Sequence, residues 1–374
     1  MSTAKTKFVK FIEEGVFKMN QARIEKIRES MKQAGLKQII VTETEPVYYL
    51  TGIWVDPVER MMAFYLDDEG RTIFFGNQLF AVPRQEGLEF QEHTDIDNPV
   101  AQLAAAVHPG ELGIDDTWPS HFLIELMKLR PDVKPVKGSA VVEQVTMCKD
   151  EEEREKMRKA SLINDACMDM VIHSVKEGVT ERELAEKVQN FFKEHKCNSI
   201  GFHIVGSSAN GADPHHGADD TVIKAGDSIV LDIGAPFEHY WCDMTRTIFF
   251  KSVTDEQREV YETVRRANAA AIALIKPGVK FKDLDLAARK VIEDAGYGEY
   301  FTHRTGHSIG MKEHERPSVA SDCEVLTRPG MVFSIEPGIY LPGKFGVRIE
   351  DLVLVTEDGC EVLNKYSKDL IVVD

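Results

Sequence analysis

The strongest constraint on this chain is that its carboxy-terminal portion repeats itself. Val175-Lys176-Glu177-Gly178-Val179 returns as Ile275-Lys276-Pro277-Gly278-Val279, and Leu184 returns as Leu284. Further on, Lys224-Ala225-Gly226 precedes Asp232 by the interval that separates Arg328-Pro329-Gly330 from Glu336. Two matches in the same order, at offsets of 100 and 104 residues, imply an internal duplication. Each half reads as helix, helix, then hairpin. Such a duplication would bring what both halves carry together around one centre.

Length sets the rest of the organisation. At 374 residues the chain exceeds one ordinary core, and its texture changes near residue 147. Residues 1–146 read as a smaller α/β domain. They contain an amphipathic helix over 21–36 ended by Gly35, a β-branched strand from Gln38 to Val41, and a hairpin turning at Asp68-Glu69-Gly70. Residues 147–374 read as the second domain. Lys149-Asp150 opens a long helix running to about Ser174. Thr180-Glu181-Arg182-Glu183 and Thr254-Asp255-Glu256-Gln257 fit capping boxes, and Phe281 to Ala295 supplies another helix. Glu151 to Glu153 read as a solvated helix start.

Composition excludes several classes of partner. Sixty-two Asp and Glu against 45 Lys and Arg leave a formal charge of −17. A phosphate backbone is repelled by that balance and no basic stripe offsets it, so nucleic acid is not expected. No apolar run approaches the roughly 18 residues that span a bilayer. Residues 1–20 lack the uninterrupted apolar stretch of an export signal. The six cysteines form no C-x-x-C pair, so reduced thiols in a cytoplasmic protein are expected. Any metal must then be held by oxygen and nitrogen.

The carboxylates carry the chemistry. Asp232 and Asp243 are symmetric about the turn-like Pro236-Phe237-Glu238-His239. In a simple hairpin they would sit opposite each other, with Cβ atoms roughly 5 Å apart. Glu336 and Glu350 are likewise symmetric about Gly343. Duplication brings both acidic hairpins to one centre, where four carboxylates repel unless cations lie between them. Hard divalent ions suit such ligands, and a two-metal site is the economical solution. His303, His307 and His314 follow at intervals of four and seven, while His215 and His216 precede Asp232. Imidazole serves both as a ligand for Mn, Co, Fe or Zn and as a proton carrier. His216 and His239 read as exposed.

With these residues in place, the carboxy-terminal portion resembles the pita-bread metallopeptidases, among them methionine aminopeptidase, aminopeptidase P and prolidase. The stretches PHHGADDTVIKAGD, YWCDMTRT, HRTGHSIGMKEHERP, EPGIY and GVRIED look like the motifs of the Xaa-Pro branch. AGYGEYFTHRTGHSIGM, EPGIYLPGKFGVRIED, Tyr48-Tyr49-Leu50-Thr51-Gly52 and Asp56 to Arg60 look most like a bacterial prolidase. The implied fold is α+β: a creatinase-like amino-terminal α/β domain, then a pita-bread catalytic domain with pseudo-twofold duplication. By motif, the resemblance implies that Asp232, Asp243, His307, Glu336 and Glu350 hold two divalent ions, Asp243 and Glu350 bridging them. It implies Asp232 on one ion and His307 with Glu336 on the other. Manganese is the first expectation; cobalt, zinc or iron fit the same ligands. His215, His303 and His314 match substrate-binding and proton-handling positions, and Arg348 an arginine for the substrate's carboxyl end.

The implied activity is hydrolysis of the Xaa-Pro bond in dipeptides by a metal-bridging hydroxide. Glu336 would accept its proton, with His215 and His314 stabilising the oxyanion or leaving group. An Xaa-Pro aminopeptidase acting on longer peptides is the nearest alternative. A non-catalytic pita-bread binding module and a metal-free creatinase-type hydrolase are more distant, because both are expected to lack ligands retained here. Small proline-containing peptides and a second copy of the chain, forming a homodimer, are the implied partners. Four residues at three sites depart from the motifs. Glu238-His239 stand where a glycine usually precedes the tyrosine, Arg304 replaces a glycine, and Ser308 replaces the glycine after the histidine ligand.

Overall fold

The structure, a computed structural model, describes residues 19–199 and 201–374. The export argument from residues 1–20 therefore falls outside the described residues, apart from Met19 and Asn20. Two compact units divide between Thr146 and Met147.

In the first unit, helix α1 (Gln21–Gln33) ends at Ala34, and Gly35 follows at φ 74°, a conformation glycine adopts without strain. Strands β1 (Gln38–Val41), β2 (Ala63–Asp67), β3 (Thr72–Asn77), β4 (Glu89–His93), β5 (Gly110–Ile114) and β6 (Val133–Lys137) form a mixed sheet. Its order is β4-β3-β2-β1-β5-β6, with β2 antiparallel to both neighbours and the outer pairs parallel. Helices α2 (Thr44–Thr51), α3 (Pro99–Ala106), α4 (Ser120–Leu129) and α5 (Ser139–Thr146) complete this unit. Ile40, Tyr65, Phe75, Leu103 and Leu126 lie in its core.

The second unit is built twice. Helices α6 (Glu151–Ile172) and α7 (Glu181–Glu194) pack on a sheet of β7 (Phe202–Ser207), β8 (Ser228–Phe237) and β9 (Tyr240–Phe250), joining Val171, Leu184 and Phe192 to Leu231, Met244 and Ile248. Helices α8 (Asp255–Leu274) and α9 (Phe281–Asp294) pack on a sheet that includes β10 (Gly306–Ser308), β11 (Glu315–Val319) and β12 (Val332–Ile335). A two-stranded ribbon follows, β13 (Gly338–Leu341) with β14 (Phe345–Arg348). Then come β15 (Asp351–Val355) and β16 (Cys360–Val362), which complete the second sheet. Finally, β17 (Ile371–Val373) returns to pair in parallel with β9.

The repeated sequence motifs have a backbone cause. Gly178 and Gly278 both stand at positive φ (83° and 88°), as do Gly226 and Gly330 (92° and 88°). Thr180 bridges Val222 in one half and Lys280 bridges Leu326 in the other. A side chain at these turns would be strained, so both copies keep glycine. Capping boxes start α6, α7 and α8; Lys280 before α9 makes no side-chain cap. One expectation fails at α6. Glu153 is buried, closing its capping box and accepting from the Tyr240 hydroxyl at 3.0 Å.

The first hairpin also corrects the sequence reading. Phe237 pairs with Tyr240, so the turn is the two residues Glu238 and His239, both at positive φ (48° and 68°). That geometry matches strand twist but is unusual for residues with side chains. Asp232 consequently faces Thr245, and Asp243 faces Gly234. The two aspartates are diagonal neighbours on one face rather than directly opposed, because the turn centre lies later than the symmetric reading placed it. In the second hairpin, Ile335 pairs with Asp351 and Gly338 with Arg348, which keeps Glu336 and Glu350 symmetric about Gly343.

Candidate metal centre

The two hairpins meet along β9. The Glu350 amide donates to the Thr245 carbonyl at 3.1 Å, and Thr245 Oγ1 donates to Glu350 Oε2 at 2.8 Å. Arg246, fully buried, reinforces the seam by donating to the Glu350 carbonyl and pairing with Asp351 at 2.8 Å. A cavity of about 750 Å³ opens beside this seam. Asp232, Asp243, His307, Glu336 and Glu350 line it, together with His215, His303, His314 and Arg348. Ile204, Phe202, Arg304 and Glu313 also line it, and the sequence reading gave none of these a role beyond Arg304 as a departure.

Magnitudes decide what this cluster needs. Desolvating one ionised carboxylate costs several kcal/mol, more than the roughly 1.5–3 kcal/mol that burying one large aliphatic contributes. Burial first, then Glu350, Asp232 and Glu336, pushes the Asp243 carboxyl well above the usual carboxylate range. Burial, then Glu336 and Asp232, does the same to Glu350. Burial likewise raises Glu336 to about 7, partly offset by the Arg348 charge. Among the described residues, Asp232 Oδ1, Asp243 Oδ1 and Glu350 Oε1 are buried and accept no hydrogen bond. Orphaned anionic oxygens converging with an imidazole are the donor set of divalent cations.

The imidazole is oriented for that purpose. His307 Nδ1 lies 3.1 Å from the Ser308 carbonyl, which can only accept, so Nδ1 carries the proton and Nε2 presents a lone pair. Nε2 is 3.4 Å from Glu336 Oε1 and 3.6 Å from Asp243 Oδ2. Ligand atoms of Asp243, His307 and Glu350 all lie within 4.8 Å of one another. Burial, with the His314 charge, pushes the His307 ring down to about 3, so it is neutral at any working pH. Ser308 leaves these contacts intact; its hydroxyl turns away to the Pro317 carbonyl at 2.7 Å.

Arg348 has a different setting from the one expected. Its Nη2 meets Asp232 Oδ2 at 2.6 Å, Nη1 meets the Tyr340 hydroxyl at 2.8 Å, and Nε meets Thr245 Oγ1 at 3.1 Å. A bidentate grip on a substrate carboxylate would compete with three bonds already made inside the protein. The chain of bonds continues. The Tyr340 hydroxyl lies 2.8 Å from His303 Nε2, and His303 Nδ1 lies 2.7 Å from the Arg304 carbonyl. Nδ1 therefore holds the proton, and Nε2 accepts from Tyr340. With both ring nitrogens occupied and burial pushing the ring down to about 4, His303 anchors Tyr340 and is poorly placed to carry protons. His314 stacks edge-on against His307 with centroids 4.1 Å apart, while His215 is exposed at the cavity.

Sequence comparison bears on the same residues. The metallopeptidase family M24 model matches residues 155–357, and the creatinase/prolidase amino-terminal domain model matches residues 23–148. The chain belongs to metallopeptidase family M24. An uncharacterised peptidase of Staphylococcus aureus (strain MSSA476) is 35% identical over 360 residues, covering 92% of this chain and 99% of that protein. A recombinant prolidase from Thermococcus sibiricus superposes with a TM-score of 0.88 at 32% identity, over 94% of this chain and 99% of that one. The dipeptidase PepE from Mycobacterium ulcerans gives 0.88 at 34% identity, over 94% and 97%. The architecture is thus the creatinase-type domain followed by the pita-bread fold, and the M24 protein is a peptidase, a hydrolase acting on peptides.

Residues that the sequence reading missed had weak signals. Tyr340 stood in EPGIY and Thr245 in YWCDMTRT, motif positions without an assigned role. Glu313, beside His314, is half-buried, and burial and the neighbouring Asp232 charge raise its carboxyl. No helix among the described residues is long and apolar enough to cross a membrane, and the six cysteines are unpaired thiols.

Proposed function

We propose that this M24 peptidase is a binuclear, metal-dependent Xaa-Pro dipeptidase. The observation carrying this reading is the set of orphaned carboxylate oxygens around the His307 lone pair. The prolidase and dipeptidase among its structural relatives supply the substrate class. Asp232, Asp243, His307, Glu336 and Glu350 would hold two divalent ions, manganese first among them. When bound, the ions supply Lewis acidity, lowering the pKa of water and polarising the scissile carbonyl.

The remaining steps belong to the chain. Glu336 accepts the nucleophile's proton: its Oε1 is held by Ser334 Oγ at 3.0 Å, and its second oxygen is left for the proton. His314 and His215 border the cavity and steady charge on the substrate's reacting oxygen or leaving nitrogen. Arg348 orients Asp232 and, through Tyr340, His303. Arg304, exposed at the cavity, is then the freer guanidinium for the carboxyl end of a short peptide.

Paired substrates test the proposal. Xaa-Pro and Xaa-Pro-Xaa peptides would be assayed after chelation and again after Mn²⁺ is restored. Metal-dependent cleavage of the dipeptide alone supports it; equal cleavage of the longer peptide replaces it with an aminopeptidase. A cytoplasmic homodimer completes the proposal, and a light-scattering mass near 42.1 kDa, that of one chain, would remove the dimer from it.

A further inference from the structure

Outside the metal centre, the described residues bring metal-type side chains together in one other place. Ligand atoms of Glu181, His216 and Asp219 lie within 4.8 Å of one another. Glu181 is the first residue of α7 and is wholly buried. Both its oxygens are already occupied. Oε1 accepts from the Ser207 amide and the Ser207 hydroxyl, each at 2.7 Å, and from Asn210 Nδ2 at 3.1 Å. Oε2 accepts from His216 Nε2 at 2.7 Å, and from Asn210 Nδ2 and the Asp219 amide at 3.3 Å. A carboxylate whose two oxygens are met by donors of the protein itself needs no cation.

What these donors share is a segment. Ser207 ends β7, and Asn210, His216 and Asp219 lie along the loop that follows, so one carboxylate fastens the loop at its start, middle and end. The backbone adds to this: the Glu181 amide donates to the Thr221 carbonyl at 3.1 Å and the Arg182 amide to the Asp219 carbonyl at 2.9 Å. His215 rides on the same loop next to His216. It is exposed at the cavity, and its amide donates to Asp213 Oδ1 at 3.0 Å. We propose that Glu181, acting through His216, is the positioning residue that sets His215 in the peptidase cavity. This rests on the reading of His215 as a working residue of that cavity.

The second half contains a counterpart. Asp285 in α9, wholly buried, accepts from the Thr305 amide at 3.0 Å and the Thr305 hydroxyl at 2.7 Å, as Glu181 does from Ser207. Its ion-pair partner Arg289 donates to the His303 carbonyl at 2.9 Å. In each half, then, a buried helix carboxylate grips a Ser or Thr and governs the backbone beside a cavity histidine.

Kinetics on the metal-loaded enzyme test the proposal, using an Xaa-Pro substrate that the wild type cleaves. Glu181→Gln is expected to lower kcat roughly 10- to 100-fold, the usual cost of losing a group that orients a working residue. KM and the metal content should change little. Added to His215→Ala, the same substitution should cost less than about twofold more, since residues acting as a unit are non-additive. If Glu181→Gln does not fold, His216 carries the test: His216→Gln, which keeps a donor, should retain several-fold more kcat than His216→Ala. A lower melting temperature with wild-type kcat would overturn the proposal, and so would losses that multiply with His215→Ala. A third equivalent of metal, lost on either substitution, would make the cluster a metal site instead. Full activity in His215→Ala would remove the reading of His215 itself, which keeps the two failures distinct.

Discussion

The two halves of the peptidase unit deliver carboxylates to the same place by different means. In the first, β8 and β9 run unbroken, and Asp232 and Asp243 project from within paired strands. In the second, the ladder breaks on both sides of the cluster. Glu336 lies between β12 and β13, and Glu350 between β14 and β15. Glutamate's extra methylene suits a backbone that is leaving one sheet for another. The strands beside the two hairpins differ too. β7 sets Ile204 opposite Asp232, whereas β10 carries His307. Duplication thus doubled the acids but not the imidazole, so the two metal positions proposed above would be chemically unequal, while their proposed shared ligands, one from each half, should be equivalent.

That equivalence is the first thing to break. Asp243→Ala and Glu350→Ala should each reduce peptidase activity to background and lower bound metal, with circular dichroism unchanged. Substantial activity in one of them would end the symmetric bridging assignment. Metal-free protein adds a signed test. The folded-state pKa of Asp243 is raised, so the stability linked to its protonated form is present at acid pH and is lost as pH rises through that value. In chelated protein, Asp243→Asn should therefore flatten the fall in melting temperature as pH rises above the ordinary carboxylate range. An unaltered pH slope would show that the apo cluster has relaxed into water.

The halves also differ in the buried amides behind the acidic cluster. Asn164 in α6 donates to the Ile233 carbonyl at 3.0 Å, next to Asp232. Asn268 in α8 donates to the Ile335 carbonyl at 2.9 Å, next to Glu336. Only Asn268 has its own oxygen engaged, by Lys368 Nζ at 3.0 Å; Asn164 Oδ1 is buried without a partner. Truncating either removes a buried hydrogen bond, at about 0.5–1.5 kcal/mol. Asn268→Ala should cost more, because it also removes one bond of Lys368, which keeps its ion pair with Asp351, and urea denaturation would rank the two. A larger loss at Asn164 would invert the comparison.

What was legible in the sequence was what neighbouring residues decide. The repeated glycines marked turns that only glycine enters freely, the capping boxes marked helix starts, and the spacing of the acids marked a shared centre. The register of the first hairpin was not legible, because it depends on two non-glycine residues entering the left-handed region. Arg348 illustrates another limit: its partners Asp232 and Thr245 are more than a hundred residues away, so a guanidinium suited to substrate proved to be engaged by the protein. Glu153 and Glu181 were hidden in the same way, as acids at helix starts whose burial depends on distant strands.

The smallest predicted effect lies at the hairpin turns, where the halves differ most plainly. The second half turns through Gly343 at φ 71°, while the first uses Glu238 and His239. The strain at His239 is supported by its amide, which donates to Asn198 Oδ1 at 2.7 Å. Burial, with the Lys156 charge adding to it, pushes the His239 ring from 6.5 down to about 4. The folded chain therefore refuses a proton that the unfolded chain accepts, and stability linked to the neutral ring is lost as pH falls from 6.5 towards 4. Asparagine tolerates the left-handed region and does not titrate. His239→Asn should accordingly make the decline in melting temperature across that window shallower, by the share of one partly screened proton. Lys344→Ala, in the other turn, should leave the slope as it was. Equal slopes for wild type and His239→Asn would mean that the ring reaches water in the folded state, and that the first turn accommodates its side chains as easily as the second accommodates its glycine.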